Sequence, residues 1–327
     1  MFNYEFENPG IVLAQLSSSV AFPRVLQEAA HLKLGHYVSD GPKSLGQIAE
    51  HYGFNENVLS MFLDILVANN ILEESENFYY PTMMSDSLDL IDQLFFGIES
   101  WQCWSQLDKC LVSGKPVFNE IFGMSFYSYL KQHPNKNGNW QQWNSITTEE
   151  WFSQISQLLD LSGTERICDV GGGNGVLLRL IALEYPTVEC TVFDLPDEND
   201  YLDPNVSKID GDMFVSIPPG FDIYILSRVF CNWNDAEMKI VLANLKKAMN
   251  DDAKLVVIDG ILPERDDPER GNYVANNLNL FLMFGAKLRQ LGEFHELMNA
   301  VDFKITAEQE LKTLSDLRWK VLIADCC

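Results

Sequence analysis

The sequence predicts an α/β fold: a doubly wound, mostly parallel sheet in the C-terminal half, preceded by a helical region. Three observations predict it. From about residue 160, short apolar runs alternate with helical patterns. The first of these runs ends in the glycine-rich turn Gly171-Gly172-Gly173-Asn174-Gly175, where a strand must pass sharply into a helix. Residues 11–70, by contrast, carry helical period and helix caps, with one small hairpin signal after them.

In the first region, Leu26, Ala29, Ala30 and Leu34 follow a helical period. Ser44-Leu45-Gly46-Gln47 has the capping-box form and starts a short helix through Ile48 and Ala49. Asn55 can cap the next helix, on which Val58, Phe62, Ile65 and Leu66 fall at i, i+4, i+7 and i+8 as one apolar stripe. Ile71-Leu72, the polar run Glu73 to Asn77, and Phe78-Tyr79-Tyr80 read as a hairpin. Two capped helices and a hairpin make a winged-helix pattern, and such modules often read DNA with the second helix. Here Asn55 to Asn70 contains no Lys or Arg and carries Glu56 and Asp64, so it lacks the cations that neutralise phosphate. A scaffold role is expected instead. The apolar segment Leu13 to Leu34 would pack on a partner subunit or within its own domain.

Residues 82–150 are rich in aromatics: Phe95, Phe96, Trp101, Trp104, Phe118, Phe122, Phe126, Tyr127, Trp140 and Trp143. Most of these belong in a core, but a pocket for a flat, apolar ligand needs the same residue types. Trp101, Trp104 and Phe118 are the candidates for such a pocket, with Met283 further along the chain.

Beyond residue 160, Arg166 to Val170, Thr191 to Asp194, Asp222 to Leu226 and Leu255 to Asp259 read as strands, and Val176 to Ile181 begins a helix. Sheets of this kind bind ligands at the carboxyl ends of their strands. The dinucleotide pattern Gly-x-Gly-x-x-Gly fails, because its third glycine falls at Val176. What stands there is Asp169-x-Gly171-x-Gly173-x-Gly175. Glycines let a backbone approach a ligand closely. Asp169 can accept a hydrogen bond from an ammonium group, and Asp194, at the end of the second strand, can accept both hydroxyls of a ribose.

Composition bounds the partners. A chain of 327 residues suggests about two domains. The formal net charge of -24 repels nucleic acid and anionic lipid, so no nucleic-acid or membrane partner is expected. No apolar run approaches the ~18–20 residues of a membrane span, and Met1-Phe2-Asn3-Tyr4-Glu5 lacks the order of a signal peptide. The seven cysteines are scattered, which fits reduced thiols and a cytoplasmic location. Cys326-Cys327 has no polybasic stretch beside it and reads as a tail rather than a lipidation signal.

Taken together, the motifs resemble the class I S-adenosylmethionine-dependent O-methyltransferases of the caffeate and acetylserotonin type, including their bacterial natural-product relatives. The likeness covers nearly the whole chain. Gly41-Pro42-Lys43-Ser44 to Thr82 resembles their winged-helix dimerisation domain, and Ser113 to Phe118 resembles their Gly-x-Pro-x-Phe element. Asp169 to Gly175, Phe193-Asp194-Leu195-Pro196 and Gly211-Asp212-Met213-Phe214 resemble their cofactor loop, ribose element and adenine element.

The resemblance implies a Rossmann-like seven-stranded domain with an antiparallel last strand near Arg318 to Ala324, behind an all-helical winged-helix dimerisation domain. It implies domains at 1–95 (dimerisation), 96–155 (helical connector, contributing to the substrate pocket) and 156–327 (cofactor binding). It also implies S-adenosylmethionine as cofactor, S-adenosylhomocysteine as product, a small-molecule substrate of secondary metabolism and a homodimer. The implied cofactor residues are Asp169, Gly171, Gly173, Gly175, Asp194, Leu195, Asp212, Met213, Arg228 and Trp233.

The chain departs from the family at the chemistry. O-methylation needs an acceptor hydroxyl to lose its proton, and a histidine does this well because its pKa lies near working pH. In Leu226 to Asp235 the position expected to hold that histidine is Cys231, followed by Asn232, with Trp233 kept. One of the two bracketing carboxylates is kept as Asp259. The other falls at Leu288, in Gly285-Ala286-Lys287-Leu288-Arg289. Asp259 and Cys231 are therefore the catalytic candidates. The same replacements remove a His-Asp metal pair, so no metal is expected. His295 reads as a surface or core residue. Three functions follow: methyl transfer without the usual base; non-methylating chemistry (pericyclic, decarboxylation or hydroxylation) around a bound sulfonium; or non-enzymatic cofactor binding.

Overall fold

The computed structural model describes residues 8–88, 97–159, 161, 163–196, 203–312 and 318–326. The chain divides into two compact units, Met1–Trp101 and Gln102–Cys327. The boundary expected near residue 95, with Phe95 and Phe96, lies outside the described residues, as does Cys327.

The first unit holds helices α1 (Pro9–Ser18), α2 (Ala21–His31), α3 (Leu34–Ser39), α4 (Leu45–Tyr52) and α5 (Glu56–Ala68). It is not purely helical. Strands β1 (Lys43–Ser44), β2 (Leu72–Ser75) and β3 (Phe78–Pro81) form an antiparallel sheet in the order β1-β3-β2. Ser44 and Gln47 close a full capping box on α4, and the Asn55 side chain accepts the Asn57 and Val58 amides at the start of α5. Between β2 and β3, Glu76 and Asn77 both have positive φ (53° and 62°), the geometry of a two-residue hairpin turn whose twist matches the strands.

The stripe on α5 differs from the expectation. Leu59, Leu63 and Leu66 are buried, whereas Val58 is 63% exposed. Both sets have near-helical spacing. The helix is apolar around more than half its girth, so periodicity alone does not choose its inner face. The buried three pack with Ala29, Leu34, Val38, Ile48 and Tyr79.

In the second unit, α6 (Ile98–Trp104) runs across the boundary and is followed by α7 (Leu107–Ser113), α8 (Phe118–Phe122), α9 (Phe126–Gln132) and the long α10 (Pro134–Leu158). Next come β4 (Arg166–Val170), α11 (Val176–Glu184), β5 (Glu189–Asp194), β6 (Val206–Asp210), β7 (Ile223–Ser227), α12 (Asp235–Ala248) and β8 (Lys254–Ile261). The chain ends with α13 (Val274–Phe284), α14 (Leu291–Asn299), β9 (Phe303–Leu311) and β10 (Arg318–Cys326).

Seven strands make one sheet, β6-β5-β4-β7-β8-β10-β9, in which β10 runs antiparallel to both of its neighbours. This is the Rossmann-like sheet with the antiparallel last strand. Cys326 ends β10, paired with Phe303.

Alternation along the strands splits the core in two. Cys168, Val170, Tyr224, Leu226, Leu255 and Val257 face α12 and α14. Ile167, Ile223, Ile225, Val256 and Ile258 face Trp151 and Ile155 of α10 and Leu177, Leu178 and Ile181 of α11. With both faces covered, β4, β7 and β8 are near-continuous apolar runs, as parallel strands require.

Two glycines of the first unit separate backbone packing from propensity. A Cβ on Gly35 would stand 2.0 Å from the Ser85 carbonyl oxygen, whereas on Gly46 its nearest neighbour is a Glu56 carboxylate oxygen at 3.6 Å. Gly35→Ala is expected to destabilise the protein by about 1–3 kcal/mol or more through overpacking. Gly46→Ala is expected to be neutral or stabilising by up to about 1 kcal/mol through helix propensity. Urea unfolding of both variants checks this.

Candidate functional site

The candidate site lies within the second unit, at the carboxyl ends of β4, β5, β7 and β8. The turn after β4 carries Gly171, Gly173 and Gly175 at positive φ (76°, 55° and 70°), a conformation that glycine adopts without steric cost. A Cβ on Gly173 would lie 3.0 Å from the Gln141 side-chain oxygen of α10, and one on Gly171 would lie 3.3 Å from Val229. The loop is therefore packed as closely as its backbone allows.

Asp169 is buried, and its Oδ1 has no hydrogen-bond partner. Burial first, and the nearby Asp194 second, push its pKa up to about 7. Asp194 accepts the Gly173 amide on Oδ2 (2.8 Å) and the Leu195 amide on Oδ1 (2.7 Å), which ties the tip of β5 to the glycine turn. Asp212 is exposed and accepts the Phe214 amide at 2.8 Å; the Met213 carbonyl accepts from Asn244 at 2.9 Å. Trp233 lies against Phe214 edge-on (4.8 Å) and stacks on Tyr127 (5.6 Å).

Arg228, one of the candidate cofactor residues, reaches α10. Its guanidinium is spent on α10: Nη1 donates to the Asn144 carbonyl (2.9 Å) and the Thr147 hydroxyl (2.6 Å), and Nη2 donates to the Thr148 hydroxyl (2.7 Å). Burial lowers its pKa to about 10, still far above neutrality. With the Asn174–Ser145 bond (3.0 Å) and the Arg179–Glu149 ion pair (2.7 Å), it fastens α10 along the glycine turn and α11.

Cys231, where the sequence resemblance leads one to expect a histidine, sits in a short 3-10 turn, Phe230–Asn232. Its amide donates to Asp259 Oδ2 (3.4 Å), and its thiol shares hydrogen bonds with Asn232 (3.6 Å) and Asp259. Burial first, and the Asp259 charge second, raise the thiol pKa well above its ordinary value. Asp259 is fully buried, and burial moves its pKa up to about 6. Its Oδ1 accepts the Gly260 amide at 2.8 Å.

Leu288 is buried, and its amide donates to the Asn277 side chain (2.7 Å). The neighbouring Arg289 reaches under the 3-10 turn and donates to the Phe230 and Trp233 carbonyls and to Asp235.

The other candidates separate. Phe118 is fully buried among Phe122, Phe126 and Tyr129, so it offers a ligand no surface. Trp104 donates from its indole to Asn279 on α13 (2.9 Å), and Met283 is buried on the same helix. Trp101 belongs to the first unit. His295 is half-exposed, 4.0 Å from Glu308. Among the described residues, no group of three or more His, Cys, Asp or Glu could hold a metal ion, and no helix is long and apolar enough to cross a membrane.

The sequence did not single out Tyr127, Arg289 or the α10 oxygens. Tyr127 was one aromatic among ten, and nothing in its spacing set it apart.

Residues 104–304 match the O-methyltransferase domain, and residues 14–88 match the O-methyltransferase dimerisation domain. The chain belongs to the O-methyltransferase family and is a methyltransferase. It is 25% identical over 323 residues to a phenazine O-methyltransferase of Lysobacter antibioticus, covering 94% of each chain. The crystal structure of LaPhzM superposes with a TM-score of 0.85 at 24% identity, over 98% of this chain and 100% of that one. Human N-acetylserotonin methyltransferase, solved with S-adenosylmethionine, gives 0.82 at 22%, over 100% and 99%.

The residues present fit S-adenosylmethionine, the cofactor of this family. The orphaned Asp169 oxygen suits the ammonium, the glycine backbone leaves room for close approach, and Asp194 stands at the end of β5 for a ribose.

The raised carboxylates set a pH dependence. Asp169 and Asp259 titrate near 7 and 6 when folded, above their ordinary value of 3.8. The folded protein thus holds protons that the unfolded chain has released, and stability falls as pH rises through that window. Asp259→Asn is expected to gain in Tm relative to the parent as pH goes from about 4 to about 7. Thermal unfolding across that range checks the sign; a Tm difference, variant minus parent, that stays flat or falls as pH rises contradicts it.

Proposed function

We propose that this methyltransferase moves the methyl group of S-adenosylmethionine to a small aromatic or polyketide-like metabolite by proximity and orientation, without a histidine base. One observation carries the reading: the residue at the expected base position is a half-buried thiol, kept protonated beside Asp259.

When bound, S-adenosylmethionine supplies an electrophilic methyl group on a sulfonium. Asp169 takes its ammonium, Asp194 its ribose, and Asp212, Met213 and Leu195 flank its adenine. Gly171, Gly173 and Gly175 let the backbone close on it, and Trp233 walls the pocket. Arg228 serves by holding α10 down on the glycine turn.

Cys231 cannot take a proton from an acceptor at neutral pH. Asp259 is ionised above about pH 6, but its oxygens are engaged by Gly260 and Cys231. Losing the base forfeits about 3–6 kcal/mol. Holding acceptor and donor in line supplies about 7–11 kcal/mol, so orientation can carry the reaction alone. Trp104 and Met283 are assigned to the acceptor side through α13.

Non-methylating chemistry in the same pocket is the second reading, favoured by the joint replacements at Cys231 and Leu288. A homodimer is proposed through the first unit, on whose α1 Ile11, Leu13 and Leu16 are exposed.

Calorimetry with S-adenosylmethionine, and with S-adenosylhomocysteine, tests the site. Affinity should strengthen as pH rises through about 7, where Asp169 ionises, and Asp169→Asn should weaken it about tenfold. Turnover with mass detection should give a methylated product and S-adenosylhomocysteine in equal amounts; turnover without S-adenosylhomocysteine favours the second reading. Cys231→Ala should keep kcat within about tenfold, whereas a loss of about 10² or more would make the thiol the base.

A further inference from the structure

The Phe230–Asn232 turn that carries Cys231 closes poorly by itself. Its last hydrogen bond, from the Trp233 amide to the Phe230 carbonyl oxygen, is 3.5 Å long, beyond the usual range. Arg289 supplies what the turn lacks. Its Nη1 donates to the Phe230 carbonyl and its Nη2 to the Trp233 carbonyl (2.8 Å), so one guanidinium spans both ends of the turn. On its other edge, Nε and Nη2 meet the Asp235 carboxylate at 2.8 and 2.7 Å, at the first residue of α12. The backbone of Arg289 is fixed as well. It bridges to Ile261 at the end of β8, and its carbonyl accepts the Leu262 amide at 2.9 Å.

Arg289 is fully buried, whereas Asp235 is exposed. A buried guanidinium with so exposed a counter-ion is a poor device for stability alone, since a well-packed apolar side chain often does as well. What the planar fork gives instead is direction, because its N–H groups point at fixed angles. That direction is passed to Trp233. The Trp233 carbonyl is held by Arg289, its backbone is extended (φ -133°, ψ 145°), and its indole stacks on Tyr127 and stands edge-on to Phe214. Phe214 directly follows Asp212 and Met213, the residues assigned to adenine, so a shift of the indole is a shift of the cofactor wall.

We propose that Arg289 is a positioning residue for the cofactor: through the Phe230 and Trp233 carbonyls it sets the Trp233 indole against S-adenosylmethionine. Arg289 reaches the ligand only through Trp233. The proposal rests on the methyltransferase reading above and adds a residue to its cofactor site.

The test is a double-mutant cycle on the full chain, read as S-adenosylhomocysteine affinity by calorimetry. Arg289→Lys keeps a cation but not the fork, and should weaken binding about tenfold. In a Trp233→Ala background there is no indole to place, and the same change should cost no more than about twofold. A merely structural role would give the same loss in both backgrounds. Equal losses with and without Trp233, or an Arg289→Lys variant that binds as the parent does, would overturn the proposal. Asp235→Asn, at an exposed carboxylate, loosens the other edge of the guanidinium and should weaken binding about threefold, again only with Trp233 present. Should Arg289→Lys not fold, the Asp235→Asn pair decides by the same rule. Failure of the parent chain to bind S-adenosylhomocysteine would instead overturn the methyltransferase reading itself.

Discussion

Arg228 stands half-buried just after β7 with its charge among three oxygens of α10, and the form of the site follows from that attachment. Its backbone is left-handed (φ 57°), a conformation that costs a non-glycine residue about 1–3 kcal/mol. Each hydrogen bond to a charged group returns about 1.5–3 kcal/mol, so three of them outweigh the strain. The arrangement sets Gln141 and Ser145 of α10 against the glycine turn. The turn can then stay thin and bare of side chains, because a helix covers it on one side.

The same economy of buried charge governs the centre around Cys231. A histidine bracketed by two carboxylates would put a cation between two anions. At the two positions where the sequence resemblance would put the histidine and one of those carboxylates, this chain has the uncharged side chains of Cys231 and Leu288. The remaining Asp259 is steadied by the Gly260 amide, the Cys231 amide and thiol, and the buried Arg289. Arg289 also holds the 3-10 turn through the Phe230 and Trp233 carbonyls. A second carboxylate at the buried position 288, with no imidazolium at 231, would be a buried charge without its partner.

Much of the fold was legible from local chemistry. The Ser44 capping box, the Asn55 cap, the apolar parallel strands and the glycine turn each depend on a few neighbouring residues, and each stands where the sequence pointed; the hairpin is there too, but its turn is only Glu76-Asn77 and Glu73 to Ser75 belong to β2. The inner face of α5 was not legible, because its apolar girth fits two stripes and only packing against α2 to α4 chooses Leu59, Leu63 and Leu66. Phe118 and Tyr127 are likewise neighbours in one aromatic stretch. One is sealed in a cluster with Phe122 and Tyr129, while the other stacks on Trp233 and Phe284.

By itself the sequence determined the α/β class, the turn that follows β4, the carboxylates at the ends of β4 and β5, and the absence of a histidine at position 231. These are matters of residue identity and short spacing. The tertiary structure alone decided that Arg228 serves α10, that Cys231 is a neutral thiol on Asp259, and that Tyr127 is the aromatic beside them. Burial and charge at those positions are set by segments separated in the chain, 84 residues between Asn144 and Arg228 and 28 between Cys231 and Asp259, and strand and helix periods carry no record of which segments meet.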